Sequence, residues 1–221
     1  MCFSAEVSFG AAAAIGVVGV LAIKKVEVPK QILFASIPLL FALHQLTEGF
    51  VWLALANQDF EKLKDASVAV YLAIAQALWP FFVPLSILLL EKQQIRKWIL
   101  ACLLITGIIG SLFLAYSILS DNIIAEIRGH HIYYEHAYLL DFPALVIIFY
   151  FIPVTSALFV SSIKSIRALG FIIFLSAIIS YLFFEKYFTS TWCFFGAFIS
   201  IYILFIYATT HKAIKNNCIN K

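Results

Sequence analysis

Residues 34–56 read FASIPLLFALHQLTEGFVWLALA, and this stretch decides the fold. A helix needs about 20 apolar residues to cross a bilayer, and the stretch is long enough to do so. Its ionisable residues, His44 and Glu48, are one helical turn apart and share a face, with Trp52 one turn further on. Ionisable side chains in hydrocarbon are expensive and usually face the interior of a helical bundle. The stretch therefore predicts a membrane helix that carries a polar site.

The composition is that of a helical membrane protein. The chain has 221 residues, of which 63% are hydrophobic and 12% charged, and its mean hydropathy is +1.00. A soluble domain is about half apolar and a quarter charged. Lipid admits only helices and closed barrels, and barrel strands would show alternating segments of ~10 residues, whereas the apolar runs here are continuous. We therefore expect an all-α integral membrane protein whose first partner is the lipid bilayer.

Seven apolar runs have about the length of a membrane span. They lie at about 5–23, 32–56, 67–90, 98–119, 139–161, 167–184 and 190–209. The connections between them are short, except for residues 120–138, and no polar block is long enough to form a soluble domain. We therefore predict a single membrane domain, 1–221, built as a seven-helix bundle. The oligomeric state is left open.

The distribution of basic residues predicts the orientation, because cytoplasmic loops carry an excess of Lys and Arg. With the N-terminus outside, the outer segments hold only Lys62, Lys64, Arg128 and Lys186. The cytoplasmic segments then hold Lys24, Lys25, Lys30, Lys92, Arg96, Lys97, Lys164, Arg167, Lys212, Lys215 and Lys221. We therefore predict a multi-pass protein with its C-terminus in the cytoplasm. The net charge of +3 is small, and no stripe of Arg and aromatic residues indicates nucleic-acid binding.

This topology collects polar residues on the extracytoplasmic side. The third helix carries several of them in its outer half, and the fifth helix opens with an acid. The long outer loop contains GHHIYYEH at residues 129–136. We predict an outer pocket for a small molecule or a lipid-like ligand, lined by Trp52, Tyr71, Gln76, Trp79 and Asp141.

Several short motifs together carry a family resemblance. They are MCFSA at 1–5, HQLTEGFVW at 44–52, GHHIYY at 129–134 and TSTWC at 189–193. The chain resembles an uncharacterised bacterial family of seven-helix membrane proteins whose members open Met-Cys-Phe-Ser. The resemblance implies a bacterial inner-membrane location and marks Cys2, Ser4, His44, Glu48, Trp52, His130, His131, Trp192 and Cys193. It implies a fold and a site, and no activity.

The histidines and Glu48 are candidate metal ligands. If the outer loop folds over the bundle, His44, Glu48 and either His130 or His131 would supply three ligands and leave a position open, which is the pattern of catalytic zinc. Two histidines from opposite elements could instead ligate haem iron. The spacing favours neither cofactor. The alternatives are that His44 and Glu48 brace two helices by hydrogen bonds and that the loop histidines are merely solvated.

The four cysteines divide between the two sides. Cys2 and Cys193 are predicted to lie outside, in an oxidising compartment, where they could form a disulfide, ligate a metal as thiolates or stay unpaired. Cys102 and Cys218 are predicted near the cytoplasm and free.

Proline and glycine predict local features of two helices. Pro80 and Pro84 should bend or unwind the third helix, because proline cannot donate the helical hydrogen bond. Gly107 and Gly110 should let the fourth helix pack closely against its neighbours.

Three functions remain open. We favour a membrane protein that binds a metal or a small ligand at the outer site, with Glu48 hydrogen-bonded. The alternative is a metal-dependent hydrolase or transferase acting on a lipid-like substrate, in which Glu48 is catalytic as a general base. A purely structural or partner-binding bundle would instead show a closed core without a cavity near Glu48.

Overall fold

The computed structural model describes residues 4–120, 123–135, 143–184 and 187–219, without the side chains of residues 58, 61, 143, 184, 190, 193, 194, 197 and 210–219. The helical segments in these ranges are numbered α1 to α7 in chain order. They span Ala5–Lys24, Ile32–Ala56, Lys64–Leu90, Gln94–Ser120, 143–160, Lys164–Phe184 and Phe188–Ile219. Short 3₁₀ turns, Pro29–Gln31 and Gln58–Leu63, precede α2 and α3. The last helix continues ten residues beyond its predicted end at 209.

The lengths of the helices are compatible with a multi-pass membrane protein. In the described ranges, the segments long and apolar enough to cross a membrane are Ala5–Lys24, Pro29–Ala56, Lys64–Leu90, Gln94–Ser120 and Lys164–Phe183. The apolar parts of α5 and α7 are shorter, Ala144–Val160 and Phe198–Thr209. Five of the seven expected runs therefore reach the length of a span within the part of the chain that the structure describes.

Two prolines coincide with wider helical turns. In α3, residues Ala73–Leu78 form a π segment just before Pro80, and in α5, Ile147–Phe151 form another just before Pro153. Because proline has no N–H, a carbonyl in the preceding turn loses its helical donor. The hydroxyl of Tyr150 donates to the carbonyl of Ala75, at 2.7 Å. The expected local unwinding of the third helix is therefore confirmed.

The fourth helix packs against α3 and α5 through two glycines. A Cβ atom on Gly107 would overlap the backbone carbonyl of Pro80, and one on Gly110 would overlap the carbonyl of Phe149. Only a residue without a side chain permits so close an approach of two backbones. The prediction of close packing at these positions is confirmed.

The long outer loop contains a β-hairpin. Strand β1, Ile124–Arg128, pairs antiparallel with β2, His131–Glu135, so that Arg128 faces His131 across a two-residue turn. Gly129 opens that turn with φ +65°, a conformation that glycine adopts without strain. The all-α prediction omitted this hairpin, although the runs on either side of Gly129 contain the β-branched and aromatic residues of strands.

Most of the buried apolar residues that the structure describes belong to two clusters. The larger one fills the bundle between α2, α3, α4, α5, α6 and α7. The smaller one, which we call the hairpin cluster, joins the hairpin to the bundle through Val51, Trp52, Val68, Tyr71, Leu72, Ile118, Ala125 and Ile132. We call this end of the bundle the hairpin end.

The opposite end of the bundle is held by a set of polar contacts that we call the Glu91 clamp. The buried carboxylate of Glu91 accepts hydrogen bonds from the backbone N–H groups of Lys92 (2.9 Å), Gln93 (3.0 Å) and Ser162 (2.7 Å). The guanidinium of Arg96 donates to the carbonyls of Val160 (2.6 Å) and Ser161 (3.0 Å). The clamp therefore ties the α3–α4 connection to the α5–α6 connection by satisfying backbone groups at helix ends.

Candidate functional site

An aromatic stack links the hairpin to the centre of the bundle. The ring of His44 stacks on Tyr71 with centroids 4.3 Å apart, and Tyr71 stacks on Tyr134 of β2 at 5.1 Å. His44 and Tyr71 are fully buried. The hairpin thus covers α2 and α3 at the level of the predicted site, and Tyr134 reaches His44 through Tyr71.

The carboxylate of Glu48 is buried and hydrogen-bonded to neutral donors. The side-chain amide of Gln45 donates to one oxygen at 3.1 Å, and the hydroxyl of Tyr71 approaches the other at 3.5 Å, the limit for such a bond. Since Gln45 lies on the same helix, its bond braces α2 internally, whereas Tyr71 joins α2 to α3. The expectation of a hydrogen-bonded Glu48 matches this geometry.

The imidazole of His44 has no hydrogen bonds of this kind within the described ranges. Neither ring nitrogen has a hydrogen-bond partner among the described residues, although the ring lies beside the backbone carbonyl of Tyr71 without reaching hydrogen-bond geometry. A buried polar group without a partner costs about 1–3 kcal/mol. Such a group in a native structure calls for a specific explanation, such as a bound water, ion or ligand.

Other buried polar atoms also lack a hydrogen-bond partner in the described residues, and they lie between the middle of the bundle and the hairpin end. Besides the two nitrogens of His44, the buried atoms without a partner in the described bundle are Ser8 Oγ, Trp52 Nε1, Gln76 Oε1, Ser111 Oγ, Ser180 Oγ and Thr191 Oγ1. Each lies at the middle of its helix or in the half nearer the hairpin. The described half at the Glu91 clamp contributes none of them.

The predicted ligand-binding residues fall into separate places. Trp52 and Tyr71 lie together in the hairpin cluster, whereas Trp79 belongs to the main core and stacks on Phe41 at 4.5 Å. Gln76 lies on α3 between Tyr71 and Trp79, in the π segment, and is buried. Asp141 lies outside the described residues. A single pocket with all of these residues on its walls therefore stays a prediction.

An apolar cavity of about 50 Å³ adjoins Trp79. Its walls come from five helices and consist of Ile37, Phe41, Trp79, Val83, Tyr150, Val154, Leu158, Leu169, Ile173, Trp192, Ile199 and Ile203. At roughly 10–15 Å³ for one water-sized sphere, the cavity has room for a few such spheres.

The loop histidines lie on the hairpin. His130 is exposed in the turn, whereas His131 is partly buried and stacks on Tyr187 with centroids 4.7 Å apart. Burial lowers the pKa of His131 from its usual range, and the nearby His130 lowers it further. Because His131 faces Tyr187 next to α7, it anchors the second side of the hairpin.

The predicted metal ligands do not form a group of three in the described part of the chain. No cluster of three His, Cys, Asp or Glu side chains close enough to share an ion occurs there. Cys2 lies outside the described residues, as does the side chain of Cys193, so their disulfide stays a prediction. Cys102 is free and exposed, as expected.

Sequence reasoning missed several residues around the site. Gln45 is polar within an apolar run and next to His44, which was a usable signal. No such signal marks Tyr134 and Tyr187. Their contacts with Tyr71 and His131 join segments that are far apart in the chain. Phe41 resembles any other apolar residue of a membrane helix.

Comparison with known proteins identifies one family and no similar curated protein or solved structure. The model of one family covers residues 1–218, nearly the whole chain. The protein therefore belongs to the family of unknown function DUF6629.

Proposed function

We propose that the protein is a seven-span integral membrane protein that binds a small ligand or a metal ion between His44, Glu48 and the hairpin. In this proposal the N-terminus and the hairpin are extracytoplasmic, and the Glu91 clamp faces the cytoplasm of a bacterial cell. The five long apolar helices and the two shorter ones support the seven spans. The lysines and arginines near the clamp, among them Lys92, Arg96 and Arg167, support the orientation.

The proposal depends chiefly on the burial of His44 without hydrogen-bond partners among the described residues. Its ring is 0% exposed, and both nitrogens are without a hydrogen-bond partner in the described residues. A ligand or ion bound beside the ring would supply the missing partner and offset the desolvation of the imidazole. Trp52 and Gln76 supply further polar atoms without partners at the same end of the bundle.

A purely structural brace explains only part of this site. The bonds of Gln45 and Tyr71 to Glu48 are those expected of a brace. A brace would leave no reason to bury the nitrogens of His44 without partners, because a leucine would fill the space without losing hydration. Ligand binding accounts for both the satisfied Glu48 and the unsatisfied His44.

A metal at this site would take one nitrogen from His44 and one oxygen from Glu48. Both side chains project from one face of α2, one turn apart. A zinc ion in a catalytic site usually has three protein ligands, so the remaining positions would be filled by water, by the bound ligand or by a further residue. This arrangement would also serve the alternative function, a membrane hydrolase or transferase in which Glu48 is the general base.

The test is to purify wild type and His44→Ala in detergent and to measure bound metal by elemental analysis, haem by visible absorbance and organic ligands by native mass spectrometry. We expect a stoichiometric species that wild type retains and His44→Ala loses. Leu43→Ala, which changes an exposed neighbour on α2, is the matched control and should keep it. A wild type with no bound species, or a species that both variants retain, would contradict the proposal.

A further inference from the structure

The polar site and the apolar cavity lie one helical turn apart. The stack of Phe41 on Trp79 fixes the register of the antiparallel helices α2 and α3. His44 follows Phe41 by three residues, and Gln76 precedes Trp79 by three, so both lie about one turn from that stack in the same axial direction. A polar pair is therefore placed next to an aromatic pair, and the aromatic pair forms part of the cavity wall.

The wall of the cavity is almost wholly apolar. The hydroxyl of Tyr150 donates to the carbonyl of Ala75 at 2.7 Å, and the indole N–H of Trp192 donates to Ser176 at 3.1 Å. The other side chains of the wall are aliphatic or aromatic. An apolar cavity of this kind excludes water and accepts apolar groups.

The polar side of the site favours a neutral head group. Its buried atoms without partners include a donor, the indole N–H of Trp52, and an acceptor, the amide oxygen of Gln76. His44 adds one donor and one acceptor when neutral. No lysine or arginine is buried in the described residues, so a carboxylate or phosphate would have no cation beside it there. The carboxylate of Glu48 already accepts hydrogen bonds from Gln45 and Tyr71, so the groups left for a ligand are the neutral ones.

We infer that the His44 site and the cavity form one binding site for a neutral amphiphile. Its head carries a hydroxyl or a similar group that both donates and accepts hydrogen bonds near His44 and Gln76. Its short apolar group passes the Phe41–Trp79 stack and fills the cavity. This inference rests on the proposed function and names the class of its ligand.

The test uses tryptophan fluorescence with 6-bromo-1-hexanol, because bromine quenches an indole only on close approach. Trp98 is 64% exposed on the far side of α4, so Trp98→Phe removes the tryptophan that would report probe dissolved in the detergent. In this background we expect saturable quenching of the remaining tryptophans by the alcohol. The anion 6-bromohexanoate should bind at least tenfold more weakly.

Two kinds of substitution separate the inference from the proposed function. Val83→Phe fills the cavity and should weaken binding of the alcohol at least tenfold. Ile173→Phe fills it from another helix and is used if the first variant does not fold. Val70→Phe changes an exposed position of α3 and should leave binding unchanged. If His44→Ala abolishes quenching while both filled cavities retain it, the ligand site stands and the inference is wrong. If none of these variants changes it, or if quenching never saturates, the inference is wrong, and the proposed function then depends only on whether wild type retains a bound species that His44→Ala loses.

Discussion

The two ends of the bundle treat buried polar groups in opposite ways. At the Glu91 clamp, the carboxylate has three backbone donors, and buried neighbours such as Gln31 and Ser161 accept hydrogen bonds as well. Between the middle of the bundle and the hairpin end, His44, Trp52 and Gln76 bury atoms without a partner among the described residues. Buried polar groups with full partners stabilise a fold, whereas those without partners destabilise it and are expected where a protein binds something. The difference supports a structural role for the clamp and the binding role that we propose for the residues near the hairpin.

The largest effect is expected from removing the centre of the clamp. Glu91→Ala would leave the N–H groups of Lys92, Gln93 and Ser162 without their acceptor and would lower the free energy of unfolding by about 3 kcal/mol. Thermal unfolding in one detergent measures the change. The neighbouring Gln94→Ala, at an exposed position, should stay within about 0.5 kcal/mol of wild type. An equal, small change for both variants would mean that the clamp is not a structural element.

A substitution of opposite sign is expected at the hairpin end. His44→Phe keeps a ring against Tyr71 and removes the two nitrogens without partners, so the ligand-free protein should gain about 1 kcal/mol in unfolding free energy. The same variant should lose the bound species. The comparison is made by thermal unfolding before and after ligand is removed. A less stable ligand-free variant would show that the nitrogens have partners, and the contrast between the ends would fail.

The attachment of the hairpin over the site can be tested by a substitution at Tyr134. Tyr134→Ala removes the ring that stacks on Tyr71 and should weaken the attachment of the hairpin by about 1 kcal/mol. Hydrogen exchange should become faster in residues 124–135 and stay unchanged at the clamp. Tyr133→Ala, on the neighbouring position of β2, is the control, because the ring contacts of Tyr133 within the described residues are with Arg128 and Tyr187 and not with Tyr71. Exchange in Tyr134→Ala that stays at the wild-type rate would show that the stack does not hold the hairpin.

The smallest effect is a dependence of hairpin attachment on pH. The pKa of His131 in the folded protein lies below its usual value of 6.5, mainly because burial disfavours the charged ring. The unfolded or detached hairpin therefore takes up a proton at higher pH, so the stabilisation is complete above about pH 6.5 and is lost as the pH falls through the lowered pKa. Hydrogen exchange of residues 124–135 between pH 7.5 and 5 should show this loss, and His131→Gln should abolish it. A pH dependence that persists in His131→Gln would assign it to another group.

Local rules were enough for much of the helical architecture. The shared face of His44 and Glu48 follows from 3.6 residues per turn, and the widened turn before Pro80 follows from the missing N–H of proline. The close approach at Gly107 follows from the absence of a side chain. In each case the cause lies within a few residues of its effect.

The hairpin and the clamp could not be predicted from the pattern of apolar runs. The strand signal around Gly129 consists of β-branched and aromatic residues within one short loop, where a search for spans does not detect it. Arg96 and Arg167 contributed to the orientation as positive charges, yet both also bind backbone carbonyls at the end of α5. Charge is a property of the residue, whereas the partner of a charge depends on the neighbouring helix.

The sequence by itself therefore determined the apolar helices and the choice of His44 and Glu48 as candidate site residues, because hydropathy and helical periodicity act within one segment. Only the tertiary structure decided that Tyr71 lies between His44 and Tyr134, that Glu91 binds the backbone of Ser162, and that Trp79 faces a cavity instead of the hairpin. These contacts join residues that are far apart in the chain. Their formation depends on how whole helices pack, and no single segment carries that information.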